Sequence, residues 1–239
     1  MSPLSPSIAA LAGFLLTFGC GRIDYDSSPS VEDAGGYDAA PELINSFSRI
    51  CQLEAHVIIE NGIAVDDDVG RALSDAVQVG CGSAITRRTV SQDDSSAVDT
   101  DSGRPLVPAN ELVVLGGGDG PHRVVRYLLQ ADTPLIWTGG SPLIISERAT
   151  GRVIAQGPTD STADFLLLQV IHEPISDTLS VSAQGIHEEG TRAAIIYLEE
   201  TIVPSIISER ASWFVVRWTD TGADGATADD SFMLIDSGP

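Results

Sequence analysis

Lysine is absent from this chain of 239 residues, because all thirteen basic residues are arginine. Without lysine the protein has no Schiff-base nucleophile, no Walker-type phosphate loop and no Ser–Lys catalytic pair. Basic residues are also scarce as a class, since 34 acidic residues leave a net charge of −21. A surface this acidic repels the phosphates of nucleic acids, so the sequence predicts no nucleic-acid partner.

Two common catalytic signatures are missing as well. No serine stands in a G-x-S-x-G sequence, which excludes the nucleophile elbow of an α/β-hydrolase. No H-E-x-x-H sequence places two histidines on one helix face to bind zinc. The sequence therefore favours a protein without catalysis, although it names no ligand.

The apolar run near the N-terminus is too short to cross a bilayer. Ile8–Phe18 has the length of a signal-peptide core, and it leads into the sequence LLTFGC. LLTFGC resembles a bacterial lipobox, in which a small residue (here Gly19) precedes a cysteine (here Cys20) that receives diacylglycerol. The resemblance implies a signal peptide at 1–19, lipidation of Cys20 and a membrane contact through the lipid anchor alone. A cleaved secretory signal or a buried N-terminal segment are the alternatives.

The residues that follow Cys20 suit a tether. Gly21–Glu42 is small, acidic and proline-containing, with too few large apolar residues to offset the entropy lost on ordering. We therefore predict a lipidated cysteine and flexible acidic tether over 20–42. An α/β domain over 43–203 and a C-terminal β extension of that domain over 204–239 complete the expected organisation.

The clearest structural signal is a strand, a glycine turn and a helix in succession. Leu112–Leu115 is an uninterrupted apolar run, typical of a strand covered on both faces. Gly116–Gly118 allow a sharp turn, and Val124, Val125, Leu128 and Leu129 then form the apolar stripe of a helix. A similar glycine turn precedes a helix that begins near His187, and we expect Pro204 to end it.

The whole pattern predicts an α/β fold with a mixed sheet. The periodicities predict parallel strand–helix–strand units, with about three helices and about nine strands, and an antiparallel C-terminal hairpin. So few helices leave one sheet face partly covered, or require a second small sheet near the C-terminus.

The glycine turn is predicted to be structural. GGGDGPH departs from the G-x-G-x-x-G dinucleotide sequence, because Pro121 replaces the third glycine. Asp119 would also repel a phosphate. We expect at least one of the three glycines to have a positive φ, and His122 to be an exposed side chain at the helix start, with its cationic form disfavoured.

Cys51 and Cys81 flank a predicted strand–helix–strand unit. Outside the cytoplasm, two cysteines in one domain are more often bonded than free, so the sequence predicts a disulfide. Two buried thiols are the alternative.

Two stretches are similar to archaeal S-layer-type surface domains. They are VVLGGGDGPHRVVRYLL and VSAQGIHEEGTRAAIIYL, within residues 110–200, and the better match is Gly190, Thr191, Ala193 and Ala194. In that family a strand–GGP–helix segment precedes a strand–glycine–helix segment. The resemblance implies a non-enzymatic role at the cell surface or in the envelope.

Three groups of side chains are candidate metal ligands. His172, His187 and Glu188 would form a zinc site if the loops after two predicted strands adjoin. Asp220, Asp224 and Asp229 lie in an Asp/Gly loop with partial resemblance to a calcium loop, and an exposed hairpin loop is the alternative. Asp66, Asp67 and Asp68 are interpreted as acids at a helix N-terminus rather than as metal ligands.

Two functional hypotheses follow. The first is an envelope-anchored lipoprotein that serves as a non-catalytic binding or structural surface module, without a cofactor except possible Ca²⁺. The second is an exported metal-dependent hydrolase that uses His172, His187 and nearby carboxylates.

Overall fold

The computed structural model describes residues 45–117, 122–131, 133–138 and 142–239. The predicted signal peptide, Cys20 and the tether over 20–42 lie outside these residues. Four α-helices are α1 (Phe47–Ile50), α2 (Ala64–Cys81), α3 (Arg123–Ala131) and α4 (Glu188–Tyr197). The ten strands are β1 (Ala55–Glu60), β2 (Thr86–Ser91), β3 (Glu111–Gly116), β4 (Leu135–Thr138), β5 (Leu143–Glu147), β6 (Val153–Gly157), β7 (Ala163–Glu173), β8 (Thr178–Gly185), β9 (Trp213–Thr219) and β10 (Ser231–Gly238).

The main sheet has seven strands in the order β10-β9-β7-β8-β3-β1-β2. Four neighbouring strands, β2, β1, β3 and β8, run parallel, and β7, β9 and β10 continue the sheet with antiparallel pairings. This mixed α/β sheet confirms the predicted fold class. The three predicted helices are α2, α3 and α4, and the single turn α1 is an addition.

Each face of the main sheet is covered by different elements. On one face, α2 and α4 bury Leu73 and Ala194 against strand residues such as Val114. On the other face, α3 buries Val124 and Leu128 against Val113, Leu115 and Ile171. Because successive residues of a strand point to opposite faces, both faces of β3 are apolar, as the unbroken run Leu112–Leu115 indicates.

A second sheet completes the face that α3 leaves open. It has three antiparallel strands in the order β4-β5-β6, and its Leu135, Leu143 and Ile145 pack on Phe165 and Leu167 of β7. A small second sheet was one of the two alternatives from the sequence, but its expected place near the C-terminus is wrong. It lies in mid-chain, between α3 and β7.

The C-terminal residues belong to the main sheet. β9 pairs with β7, and β10 forms an antiparallel hairpin with β9, as predicted. Pro204 does not end α4, which stops at Tyr197. A π-helical turn (Leu198–Ile202) and a 3-10 helix (Val203–Ser208) follow, and Pro204 stands in the first turn of the latter, where its missing N–H costs no hydrogen bond.

Cys51 and Cys81 form a disulfide, which confirms the predicted pairing. Cys51 follows α1 and Cys81 is the last residue of α2, with Cα atoms 5.2 Å apart. The bond therefore fixes the start of the domain to the far end of its longest helix. Among the described residues, no helix is both long and apolar enough to cross a membrane.

Candidate functional site

The carboxyl ends of the parallel strands are the first place to look for a site. The chain leaves β1 through α2 and returns as β2 on one side of β1, whereas β3 lies on the other side. The strand order thus reverses between β1 and β3. Open α/β sheets bind ligands in the crevice outside such a reversal, between the carboxyl ends of the two strands.

In this protein the first turns of α2 pack against the end of β3. Gly117 has φ +79°, so the glycine turn takes the positive φ expected from the sequence. A Cβ atom on Gly117 would overlap the carboxylate of Asp66, and one on Gly116 would overlap the backbone of Asp66 and Gly70. The glycines are therefore required because the first turns of α2 touch the backbone that leaves β3.

The Asp66 carboxylate occupies this contact. The side chain is 8% exposed, and its Oδ2 accepts a hydrogen bond of 2.7 Å from Nδ2 of Asn61. Burial raises the pKa of Asp66, while the hydrogen bond from Asn61 acts against the rise. Asp66 is thus a buried contact between β1, α2 and β3. The sequence correctly places it in the first turn of a helix but gives no sign of its burial.

A second carboxylate fills the glycine turn that follows β8. Asp164, at the start of β7, is fully buried and accepts hydrogen bonds of 2.8 Å from the backbone N–H groups of Phe165 and His187. A Cβ atom on Gly190 would overlap its Oδ2. Burial raises the pKa of Asp164, and hydrogen bonds from His187 and Phe165 oppose this. The carboxylate therefore lies beside the start of α4.

The carboxylates of Asp66 and Asp164 determine what can bind at the carboxyl ends of the parallel strands. An anion would be attracted to the first turns of α2 and α4 by their N–H groups. At both places a carboxylate of the protein is already present, and it would repel a phosphate or another carboxylate. Neither Asp66 nor Asp164 forms an ion pair with an arginine or histidine of the described residues.

His122 differs from its predicted environment. Its side chain is 1% exposed, and Nε2 donates a hydrogen bond of 3.0 Å to the carbonyl oxygen of Ile59 at the end of β1. The expected exposure at the helix start is wrong. Burial lowers the pKa of His122 to about 4, so the ring is neutral, and the hydrogen bond then places the proton on Nε2. His122 therefore connects the start of α3 to the end of β1.

His172 and His187 do not share a site. β7 and β8 are antiparallel, with His172 paired to Leu179 near the start of β8, whereas His187 follows the end of β8. About 20 Å of strand separates the two ends. His172 contacts Asp177 at 2.8 Å and His187 contacts Thr159 at 3.2 Å. The loops that carry these histidines therefore do not adjoin, which was the condition for a zinc site.

The remaining zinc candidate, Glu188, forms an ion pair of 2.6 Å with Arg192 one turn further along α4. Within the described ranges, no group of three His, Cys, Asp or Glu side chains is placed to hold a metal ion. The zinc hypothesis thus has no geometric support in this part of the chain.

The calcium candidates lie in the loop between β9 and β10. Asp220 uses both carboxylate oxygens on its own loop, accepting from the N–H groups of Gly222, Ala223 and Gly225 at 3.0, 2.6 and 3.1 Å. Asp224 and Asp229 are exposed to solvent. Asp220 therefore stabilises a hairpin loop, which was the alternative to a calcium site.

Asp230, which the sequence did not single out, anchors that loop to the core. Its carboxylate accepts hydrogen bonds from Nε1 of Trp218 and from the N–H groups of Thr221 and Thr227 at 3.0, 3.0 and 2.9 Å. Burial would raise the pKa of Asp230, but these hydrogen bonds outweigh burial and hold it below its usual value. In the sequence, the one local indication of this role is that Asp230 directly precedes the strand that begins with Ser231.

No protein-family model matches this chain, and no curated protein matches its sequence.

Proposed function

We propose that this protein is an exported lipoprotein of the bacterial cell envelope, anchored through Cys20, whose α/β domain is a non-catalytic binding or structural surface module. The observation that carries the non-catalytic assignment is the filling of both glycine turns by Asp66 and Asp164. At these positions an α/β protein would hold the phosphate of a substrate or cofactor. Here they serve the contacts between helices and strands.

Three features of the chain support export. The sequence LLTFGC provides a lipidation site, and the acidic stretch up to residue 42 provides a spacer between membrane and domain. The Cys51–Cys81 disulfide is compatible with an oxidising compartment. Diacylglycerol supplies two acyl chains, and two chains anchor a protein firmly where one does not.

The residues that best match archaeal S-layer-type domains lie in α4. Gly190 is needed for the contact with Asp164, and Thr191 accepts a hydrogen bond from the N–H of Gly185 at 3.1 Å. Ala193 and Ala194 are fully buried. The matching residues thus pack a helix against a sheet.

Metabolic labelling tests the anchor. A bacterial host that expresses the full chain is given a radioactive fatty acid, in parallel with Cys20→Ala. The proposal expects label in the membrane fraction of the wild type and none in the variant, while Cys51 and Cys81 stay bonded in both. Equal labelling of both chains, or no label in either, contradicts the proposed anchor.

Metal analysis of the purified, untagged protein tests the non-catalytic assignment. The proposal expects no stoichiometric zinc. Zinc at one equivalent per chain, lost in His187→Ala, would favour the exported metal-dependent hydrolase instead.

A further inference from the structure

A groove opens where the small sheet meets the main sheet near β10. β6, an outer strand of the small sheet, lines this groove together with β7, β9 and β10 of the main sheet. The groove has a volume of about 400 Å³, and sites for small molecules commonly have roughly 300–1,000 Å³. Met233 of β10 belongs to the lining and is 56% exposed, so a ligand can enter directly from solvent.

Three residues on neighbouring strands form a row along the groove. Arg217 of β9 stands directly opposite Phe165 of β7 on one side and Met233 of β10 on the other. Directly opposite residues of antiparallel strands lie on the same face, and strands are about 4.8 Å apart, so the row spans about 10 Å. All three side chains line the groove. The row thus places one cation between two apolar side chains.

The rest of the lining is mostly apolar. Ile154 of β6 and Ile235 of β10 are partly buried, and they pack against the core cluster that the small sheet shares with β7. Gly157 leaves room beside the ring of Phe165, since a Cβ atom on Gly157 would lie 3.5 Å from Cζ of that ring. The groove is therefore a place where this apolar core reaches the surface.

Arg217 is the charged side chain of the lining, and the protein holds its guanidinium in place. Cζ lies 4.7 Å from the centroid of the Phe165 ring, and Nη1 donates a hydrogen bond of 2.9 Å to the carbonyl oxygen of Pro158. A guanidinium has five N–H donors, and on partners within the described ranges Arg217 uses only this one. Arg217 also forms no ion pair with a carboxylate of these ranges. Its remaining donors can therefore bind an anion.

Asp160 is the carboxylate that could compete for Arg217. Its Oδ1 accepts hydrogen bonds of 2.8 Å from the N–H and from the hydroxyl of Thr162, and one of 3.0 Å from the N–H of Ala163. The hydrogen bonds from Thr162 lower the pKa of Asp160 most, and the charge of Arg217 contributes least. Asp160 is thus held by its own turn and leaves the guanidinium to a ligand.

The lining defines the chemistry of that ligand. A cation would be repelled by Arg217. Phosphate would contact a single guanidinium and gain nothing from the apolar lining, while the net charge of −21 repels it. A neutral apolar molecule would cover the donors of Arg217 without replacing their water. A molecule with an apolar chain and one carboxylate suits both parts, because the chain covers apolar surface and the carboxylate accepts from Arg217.

We infer that this groove is a binding site for a medium-chain fatty acid. The inference rests on the proposed binding role and gives that role a location and a ligand class. The guanidinium of Arg217 binds the carboxylate, and the acyl chain covers Phe165, Met233 and Ile235.

Isothermal titration of the full chain with octanoate tests the inference, with octylammonium and acetate as matched probes. Octylammonium reverses the charge on the same chain, and acetate keeps the carboxylate without the chain. The titrations use about 0.15 M salt, where a Debye length of about 8 Å limits repulsion by distant acidic residues. We expect saturable binding of octanoate at millimolar concentration and no saturable binding of the other two probes. The net charge alone predicts the opposite preference, for the cation.

Three variants and a control assign the binding to the groove. Arg217→Gln should weaken octanoate binding about tenfold, as expected for loss of a charged hydrogen bond. Gly157→Leu should abolish binding by filling the space beside Phe165, and Gly157 has no positive φ that would strain the new side chain. Asp160→Asn keeps Oδ1 as an acceptor and removes a competing charge, so it should bind octanoate at least as tightly as the wild type. The exposed Arg126→Gln should leave binding unchanged.

A variant at the exposed rim separates loss of binding from misfolding. Met233→Ser should melt close to the wild type, because surface substitutions change stability little, and should weaken octanoate binding about threefold through the lost apolar contact. Sedimentation without a probe should show a monomer. A dimer that Met233→Ser separates would show that a second copy of the chain occupies the groove, which overturns the inference.

Three results of the titrations also overturn it. They are the lack of saturable octanoate binding, equal binding of octylammonium, and binding that neither Arg217→Gln nor Gly157→Leu changes. Covalent labelling of Cys20 is independent of these outcomes, so the groove and the proposed anchor fail separately.

Discussion

Two buried histidines should make this protein lose stability in mild acid. His56 and His122 are 0% and 1% exposed, and burial lowers the pKa of each from 6.5 to about 4. For His56, the charge of Arg87 adds to the effect of burial. Between pH 6.5, the pKa of a histidine in the unfolded chain, and about 4, its pKa in the folded chain, only the unfolded chain binds the protons. The free energy of unfolding therefore falls as the pH falls. The contribution of the two neutral histidines to the free energy of unfolding is fully present above pH 6.5.

The magnitude follows from the two pKa values. Taking 6.5 for the unfolded chain and about 4 for the folded one, each histidine lowers the free energy of unfolding by about 2 kcal/mol between pH 7 and pH 5. Both together remove about 4 kcal/mol, a large part of the stability of an ordinary domain. The raised pKa values of Asp66 and Asp164 act in the opposite sense, because their protonation in the folded state adds stability as the pH falls.

Urea unfolding of the full chain at pH 7 and pH 5 measures this effect, and the variants assign it. His56→Gln should have a lower free energy of unfolding than the wild type at pH 7. Between pH 7 and pH 5, its free energy of unfolding should fall by about 2 kcal/mol less than that of the wild type. Comparing chains at the same two pH values cancels the contribution of the aspartates. Ser74→Ala is the control, because it removes the 2.8 Å contact to Nδ1 of His56 and leaves the ring buried. Equal losses in wild type and His56→Gln would refute the reasoning.

Three further predictions concern stability. Gly117→Val should lower the free energy of unfolding by more than the roughly 1–3 kcal/mol of a strained backbone, because the valine side chain also overlaps Asp66. Gly151, with φ +69° and no atom within 4 Å of an added Cβ, is the control, since Gly151→Val measures the backbone strain alone. An equal loss in both variants would contradict the overlap with Asp66. Reducing the Cys51–Cys81 disulfide should remove about 3.5 kcal/mol in urea unfolding, and an unchanged midpoint would show that the bond does not restrict the unfolded chain. Asp164→Ala should cost about 3 kcal/mol in the same assay by leaving the N–H groups of Phe165 and His187 unpaired, whereas the exposed Asp224→Ala should change it by less than about 0.5 kcal/mol; similar losses would remove Asp164 from its assigned role.

The histidines show where local sequence stops being informative. His172 and His187 each stand beside a glutamate after an apolar run, and nothing in either segment reports the direction of its strand. The antiparallel pairing of β7 with β8 places them at opposite ends of the sheet. His122 is similar, since its burial depends on Ile59, which is 63 residues away in sequence.

Local sequence determined the elements of this protein and little of its candidate site. Apolar runs indicated the strands, and apolar periodicity with flanking glycines indicated α2, α3 and α4. The disulfide was predicted from two cysteines that flank one unit of a chain expected to be exported. These features depend on steric preferences and on burial within a few residues, which a sequence displays directly. Tertiary structure alone decided that Asp164 lies beside α4, that Asp66 lies against Gly117 and that Phe165, Arg217 and Met233 form one row along a groove. Each of these arrangements joins side chains from separate elements, and their burial depends on how the sheet and its covering layers assemble.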